Sequence, residues 1–160
     1  MAAPPAGLAG PVLLQDDFRG PLNAAWKVHL TKNHERASFA NEGKAGEIMA
    51  PPDSCVYAEQ ALPEGAASVE ITADTGDDTL ANSWGPGVAL MAAGKTVASL
   101  VMRPNSQQYE MFTPDDGERI AAGFDRNHSA SLRLRIAGGE VYFEASQDGK
   151  SYLELGHSKL

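Results

Sequence analysis

Hydrophobic residues recur at every second position in several short windows of this chain. Val69, Ile71 and Ala73 alternate with Glu70 and Thr72. Leu132, Leu134 and Ile136 alternate with Arg133 and Arg135, and Val141, Phe143 and Ala145 alternate with Tyr142 and Glu144. A pleated strand turns successive side chains to opposite faces, so each window predicts a strand with one apolar and one polar face. Gly138-Gly139 separates the last two windows and predicts a tight hairpin. Asp148-Gly149 predicts a second turn ahead of a strand over 152–155. Two further strands are predicted at 88–91 and 97–102, around Gly94-Lys95, and fainter ones at 12–15, 26–30, 36–39, 56–60 and 108–112. No window carries a sustained helical stripe. Sixteen Gly and ten Pro cut the chain into short segments, as an all-β protein requires. The expected architecture is an antiparallel two-sheet β-sandwich.

Composition narrows the partners. The 160 residues predict one domain, with residues 1–11 as a flexible lead-in and 12–160 as the sandwich. Apolar residues make up 42% and charged residues 21%, which excludes the low-hydrophobicity, high-charge profile of a disordered chain. Asp and Glu outnumber Lys and Arg by 21 to 13, a balance that disfavours nucleic acid, whose phosphates need basic surface. No apolar run approaches the ~20 residues that span a bilayer, so no membrane partner is expected. Cys55 is the one cysteine, which excludes an intrachain disulfide. Next to Val56 and Tyr57, with no basic neighbour to lower its pKa, it reads as a buried structural thiol.

Two motifs are more specific. The first is Asp16-Asp17-Phe18-Arg19-Gly20-Pro21-Leu22 followed by Trp26, with Phe18, Leu22 and Trp26 as core anchors around a bend at Gly20. The second runs from Leu132 through the Gly138-Gly139 turn and Val141-Tyr142-Phe143-Glu144 to Ser146-Gln147-Asp148-Gly149-Lys150-Ser151-Tyr152. Together they resemble the opening and closing elements of concanavalin A-like lectin/glucanase jelly rolls, in particular the noncatalytic modules found beside β-xylosidases. The resemblance implies a carbohydrate-binding or accessory module with a saccharide partner, an adjacent catalytic domain as a possible neighbour, and an extracellular or cell-surface setting. It also implies a structural Ca²⁺ near the first strand, held partly by the last strands. Modules of this kind continue past the final hairpin with two more strands, so this sandwich is expected to be a shortened version or to lack its last strands. Ser158-Lys159-Leu160 matches a peroxisomal address and is read as coincidence.

Catalytic motifs are scarce. The glucanases of that fold place three carboxylates on one strand face as Glu-x-Asp-x-x-Glu, and no Glu here has Asp two residues later. A hydrolase would need carboxylates from different strands, with Glu110, Glu70 and Asp125 as first suspects. Gly94-Lys95-Thr96 imitates a phosphate loop, but Ala89 stands where the first Gly is required, so it reads as a hairpin turn. His29, His34, His128 and His157 show no metal spacing. The acidic run with Asp74, Asp77 and Asp78, and the Asp16-Asp17 pair, are the candidates for a hard cation such as Ca²⁺; a solvated acidic turn is the plainer reading of the run.

Sugar recognition needs an aromatic face to stack on a pyranose ring and planar polar groups for its hydroxyls. Trp84 is the stacking candidate, with Tyr109 beside it, and Arg103, Asn105 and Gln108 are the hydrogen-bonding candidates. Trp84 reads equally as a core residue capping the sandwich. A third possibility is a structural domain that packs on a neighbouring catalytic domain through an exposed apolar patch.

Overall fold

The computed structural model describes residues 11–20, 22–30, 55–75 and 85–160, and the backbone of 38–40 and 47–49. No described residue is helical. The chain divides into two compact units, Pro11–Ala66 and a second that holds Ala67–Leu160.

In the first unit, β1 (Lys27–Leu30) pairs antiparallel with β4 (Val56–Glu59), and β2 (Ser38–Ala40) pairs with β3 (Glu47–Met49). The opening motif folds on itself through Asp16. One carboxylate oxygen accepts the Phe18 amide at 2.8 Å and the other accepts the Trp26 indole N–H at 3.0 Å. That grip holds Phe18 at φ 53 and sets its ring 5.5 Å from Trp26. The strand expected at 12–15 does not form; Val12, Leu13 and Leu14 are exposed and have no strand partner among the described residues. Cys55 also differs from expectation. It is exposed just ahead of β4, and Val56, the next residue, takes the inward position.

The second unit holds β5 (Ser68–Ala73), β6 (Gly87–Ala92), β7 (Lys95–Arg103), β8 (Gln108–Thr113), β9 (Gly117–Gly123), β10 (Ala130–Ala137), β11 (Glu140–Ser146) and β12 (Leu153–Lys159). They form two four-stranded antiparallel sheets, a first in the order β12-β11-β10-β5 and a second in the order β6-β7-β8-β9. The sheets pack face to face as a β-sandwich. Leu132, Leu134, Val141 and Phe143 come from the first sheet; Ala98, Leu100, Met102, Tyr109 and Met111 come from the second. Each set is one parity of its strands, which is why the alternation in the sequence reports the fold.

The turns follow the twist rule for two-residue hairpins. Both central residues take positive φ at Ala93-Gly94 (50 and 73) and Gly138-Gly139 (61 and 80), matching the right-handed twist of the flanking strands. Gly94-Lys95-Thr96 is therefore a hairpin, with Lys95 opening β7. Gly87 is required for a different reason. A Cβ there would stand 2.4 Å from Val101 Cγ1 and 2.7 Å from the Leu100 carbonyl oxygen, so β6 approaches β7 too closely for any side chain.

Between the edge strands β9 and β12, polar groups join the two sheets. Arg119 Nη2 donates to Ser158 Oγ at 2.5 Å, and Ser158 Oγ donates to Asp116 Oδ2 at 2.5 Å. The same guanidinium reaches the His157 carbonyl oxygen at 3.4 Å. Ser158 is buried, and the Leu160 amide donates to the Gly139 carbonyl at 2.9 Å, so the Ser-Lys-Leu tripeptide is part of the sheet.

The β11–β12 turn is organised by Asp148. Its Oδ1 accepts from the amides of Ser151 (2.7 Å) and Lys150 (2.8 Å) and from the Ser146 hydroxyl (2.8 Å). These donors, the Ser151 amide foremost, hold the carboxyl well below the usual Asp range. A depressed folded-state pKa adds stability above the unfolded value, about 4, that is lost as pH falls through the folded one. Asp148→Ala is therefore expected to melt lower than wild type at pH 7, with the gap narrowing once pH drops below about 4. Thermal melts of both proteins across pH test this, and a gap independent of pH would contradict it.

Candidate functional site

The outward face of the second sheet gathers part of the expected sugar-binding set. Arg103 and Gln108 are directly opposite each other on β7 and β8. Asn105 is exposed in the turn that joins them. One step along, Glu110 lies between Val101 and Ile120, and one step further Phe112 lies between Ser99 and Glu118. Arg103 Nη1 is 3.0 Å from Glu110 Oε2; the Glu110 side chain is 6% exposed and that of Arg103 is 29% exposed. The guanidinium is thus held down on the sheet by a nearly sealed carboxylate while part of it faces solvent.

Tyr109 does not belong to this face. It is one residue from Gln108, so the pleat sends it to the opposite side. Its ring is 3% exposed, lies in the core and tilts against Phe124 at 5.1 Å, and burial pushes its phenol pKa up. The aromatic on the outward face is Phe112, which parity with Gln108 identifies from the sequence alone. Trp84 lies outside the described residues.

The outward face of the first sheet carries a charged row. Glu144 Oε2 accepts Arg133 Nε at 2.6 Å, and Oε1 accepts Arg135 Nε at 3.0 Å. Tyr152 covers the Arg133 guanidinium at 3.6 Å and Tyr142 covers that of Arg135 at 4.0 Å. Glu144 is fully buried, and the side chains of Arg133 and Arg135 are 4% and 19% exposed. Burial, reinforced by a bond to Glu70, pushes the Tyr152 phenol up to about 12. The alternation marks Arg133, Arg135, Tyr142 and Glu144 as outward polar residues, but it does not reveal that they interlock. Toward the end of the row, His157 Nδ1 pairs with Glu154 at 3.1 Å and its ring lies 5.4 Å from Tyr142. This row is closed, whereas the Arg103–Gln108–Phe112 surface stays partly open.

The suspected catalytic carboxylates do not converge. Glu110 points outward from the second sheet and Glu70 outward from the first, so the sandwich separates them. Packed sheets are about 10 Å apart before outward side chains are added, whereas glycosidase pairs stand about 5–10 Å apart across one bond. Asp125, in the β9–β10 connection, accepts from the Asn127 amide at 3.0 Å and pairs with His128 at 2.9 Å. Those contacts, the Asn127 amide foremost, lower its pKa, the wrong direction for an acid catalyst at neutral pH.

Asp16 and Asp17, both proposed for Ca²⁺, bond to groups of their own unit. Asp16 uses both oxygens on N–H donors, and Asp17 accepts the Arg19 amide at 3.0 Å. With Gln15 and Asn23 they line an open depression of about 460 Å³. Asp74 follows β5, and Asp77 and Asp78 lie outside the described residues. Among the described residues no three His, Cys, Asp or Glu side chains form a group fit to hold a metal ion. Nor is any helix there long and apolar enough to cross a membrane.

The fold and these surfaces define an all-β sandwich of two packed four-stranded antiparallel sheets. In comparisons with known proteins, no family model, no curated protein and no solved structure matches the chain.

Proposed function

We propose that this chain is a noncatalytic carbohydrate-binding module of the concanavalin A-like kind, with the saccharide on the outward face of the second sheet. The observation that carries this reading is one row of groups on β7 and β8. Arg103 and Gln108 offer planar donors and an acceptor side by side, Glu110 fixes the guanidinium, and Phe112 supplies an apolar ring on the same face. Hydroxyls bond to the planar groups while the C–H face of the sugar covers the ring. The motif resemblance at the two ends of the chain supports the same reading.

The test is a glycan array with wild type and Phe112→Ala. Loss of the ring is expected to weaken the strongest response about fivefold, in line with the ~1 kcal/mol of an aromatic contact. Phe112 lies outside the core cluster and is only partly buried, so the fold, checked by circular dichroism, is expected to persist. A well-folded wild type that binds no glycan would overturn the reading. It would favour a second one, that this face packs on a neighbouring catalytic domain, for which Val101, Phe112 and the 46%-exposed Ile120 supply an apolar strip.

A further inference from the structure

We propose, on the basis of that saccharide reading, that Glu110 is a specificity-determining residue that restricts this face to neutral sugars. Arg103 is the cation of the Arg103–Gln108–Phe112 surface, and an exposed arginine is by default a receptor for carboxylate or sulfate, which its fork binds bidentately. Here that default is cancelled on the sheet itself. Glu110 stands 3.0 Å away and its side chain is 6% exposed, so the pair is weakly screened by solvent. Glu118, opposite Phe112 on β9, adds a second negative charge to the face. The other side chains in the three rows, Gln108, Val101, Ile120, Ser99 and Phe112, are uncharged. A uronic acid or sulfated sugar brought to Arg103 would set its own charge against Glu110 and Glu118, on a chain of net charge −8. A hydroxyl meets no such repulsion. It accepts from the guanidinium or from the Gln108 amide and donates to the Gln108 carbonyl oxygen. The ion pair thus makes Arg103 a positioned hydrogen-bond donor without the countercharge that would attract an anion.

The inference requires the ligand to be a neutral, hydroxyl-rich glycan bound with little dependence on salt, and it makes Glu110→Gln a gain-of-function change. Glutamine has nearly the shape of glutamate, so the variant frees the charge of Arg103 with the least disturbance of β8. The experiment is affinity electrophoresis of the full chain in gels containing laminarin, xylan or glucomannan, and in gels containing polygalacturonate, alginate or heparin, at low and at about 0.5 M salt. Wild type is expected to be retarded only in neutral gels, with dissociation constants that change less than about twofold with salt. Glu110→Gln is expected to bind polygalacturonate at least about tenfold more tightly than wild type, as one charge-assisted bidentate contact provides, and to lose that gain in high salt. Arg103→Met added to Glu110→Gln is expected to abolish the gain.

Salt-sensitive binding of wild type to an acidic polymer would overturn the specificity inference and leave saccharide binding standing. So would a folded Glu110→Gln that still binds neutral glycan and gains nothing for polygalacturonate. Wild type that binds neither set overturns the saccharide reading, and the inference with it. The salt dependence of wild type decides the matter even where Glu110→Gln fails to fold.

Discussion

Glu144→Ala is expected to destabilise the protein by about 3–5 kcal/mol, the range found when one partner of a buried ion pair is removed. Glu144 is fully buried and accepts from both Arg133 and Arg135. Without it two guanidinium groups remain beneath Tyr152 and Tyr142, that of Arg133 only 4% exposed. The origin of the loss is thus uncompensated charge, and this has a separable signature. Replacing all three together, as Arg133→Met, Glu144→Leu and Arg135→Met, removes the charges with their partners and is expected to recover most of the stability. Urea unfolding of wild type, the single variant and the triple variant measures both quantities. A single variant within 1 kcal/mol of wild type would mean that the row is not the lock its geometry describes.

Phe143→Ala is expected to cost a similar amount, about 3–5 kcal/mol, for a different physical reason. Its ring is fully buried at the centre of the sandwich, so truncation loses transfer free energy and leaves a cavity that a close-packed core cannot fill. Arg119 also lies over this ring, at 5.8 Å from its centroid. The contrast with Phe112→Ala makes the prediction sharp. Both are phenylalanines in four-stranded sheets of the same sandwich, yet one is expected to unfold the protein at moderate temperature and the other to change binding alone. Comparable losses of stability in the two variants would mean that the inward and outward faces have been misassigned.

The sandwich was legible in the sequence because its inner positions alternate cleanly. β5, β10 and β11 turn Val69, Ile71, Leu132, Leu134, Val141, Phe143 and Ala145 to the core. β9 escaped because Gly117-Glu118-Arg119-Ile120-Ala121-Ala122-Gly123 has no apolar alternation, its inward members being Arg119 and Ala121. β3 is three residues long and offers no period at all. The proposed binding surface was half legible. Arg103 and Gln108 share a face because strands of a hairpin pair in register, but Gln108 and Tyr109 cannot share one. The interlocking of Arg133, Glu144 and Tyr152 was not legible. Asp148-Gly149 marks the turn that brings Tyr152 back, but no local pattern sets its ring over the Arg133 guanidinium. The role of Asp16 was missed likewise: an acidic pair invites a cation, while its two oxygens here hold an amide and an indole.

The order of strands has a consequence for how this unit assembles. In the second sheet every pairing joins neighbours in sequence, β6 with β7, β7 with β8 and β8 with β9, through loops that close quickly. In the first sheet β5 has β10 as its partner, and the whole β6–β9 meander lies between them. Chain closure over that span comes late and sets the rate, as non-local pairing does in other β-proteins. As the chain leaves the ribosome, β5 therefore emerges with its ladder edge unpaired and waits through the synthesis of four strands before β10 can pair with it. That interval is the period of greatest exposure to aggregation, and slowing translation between β6 and β9 would lengthen it.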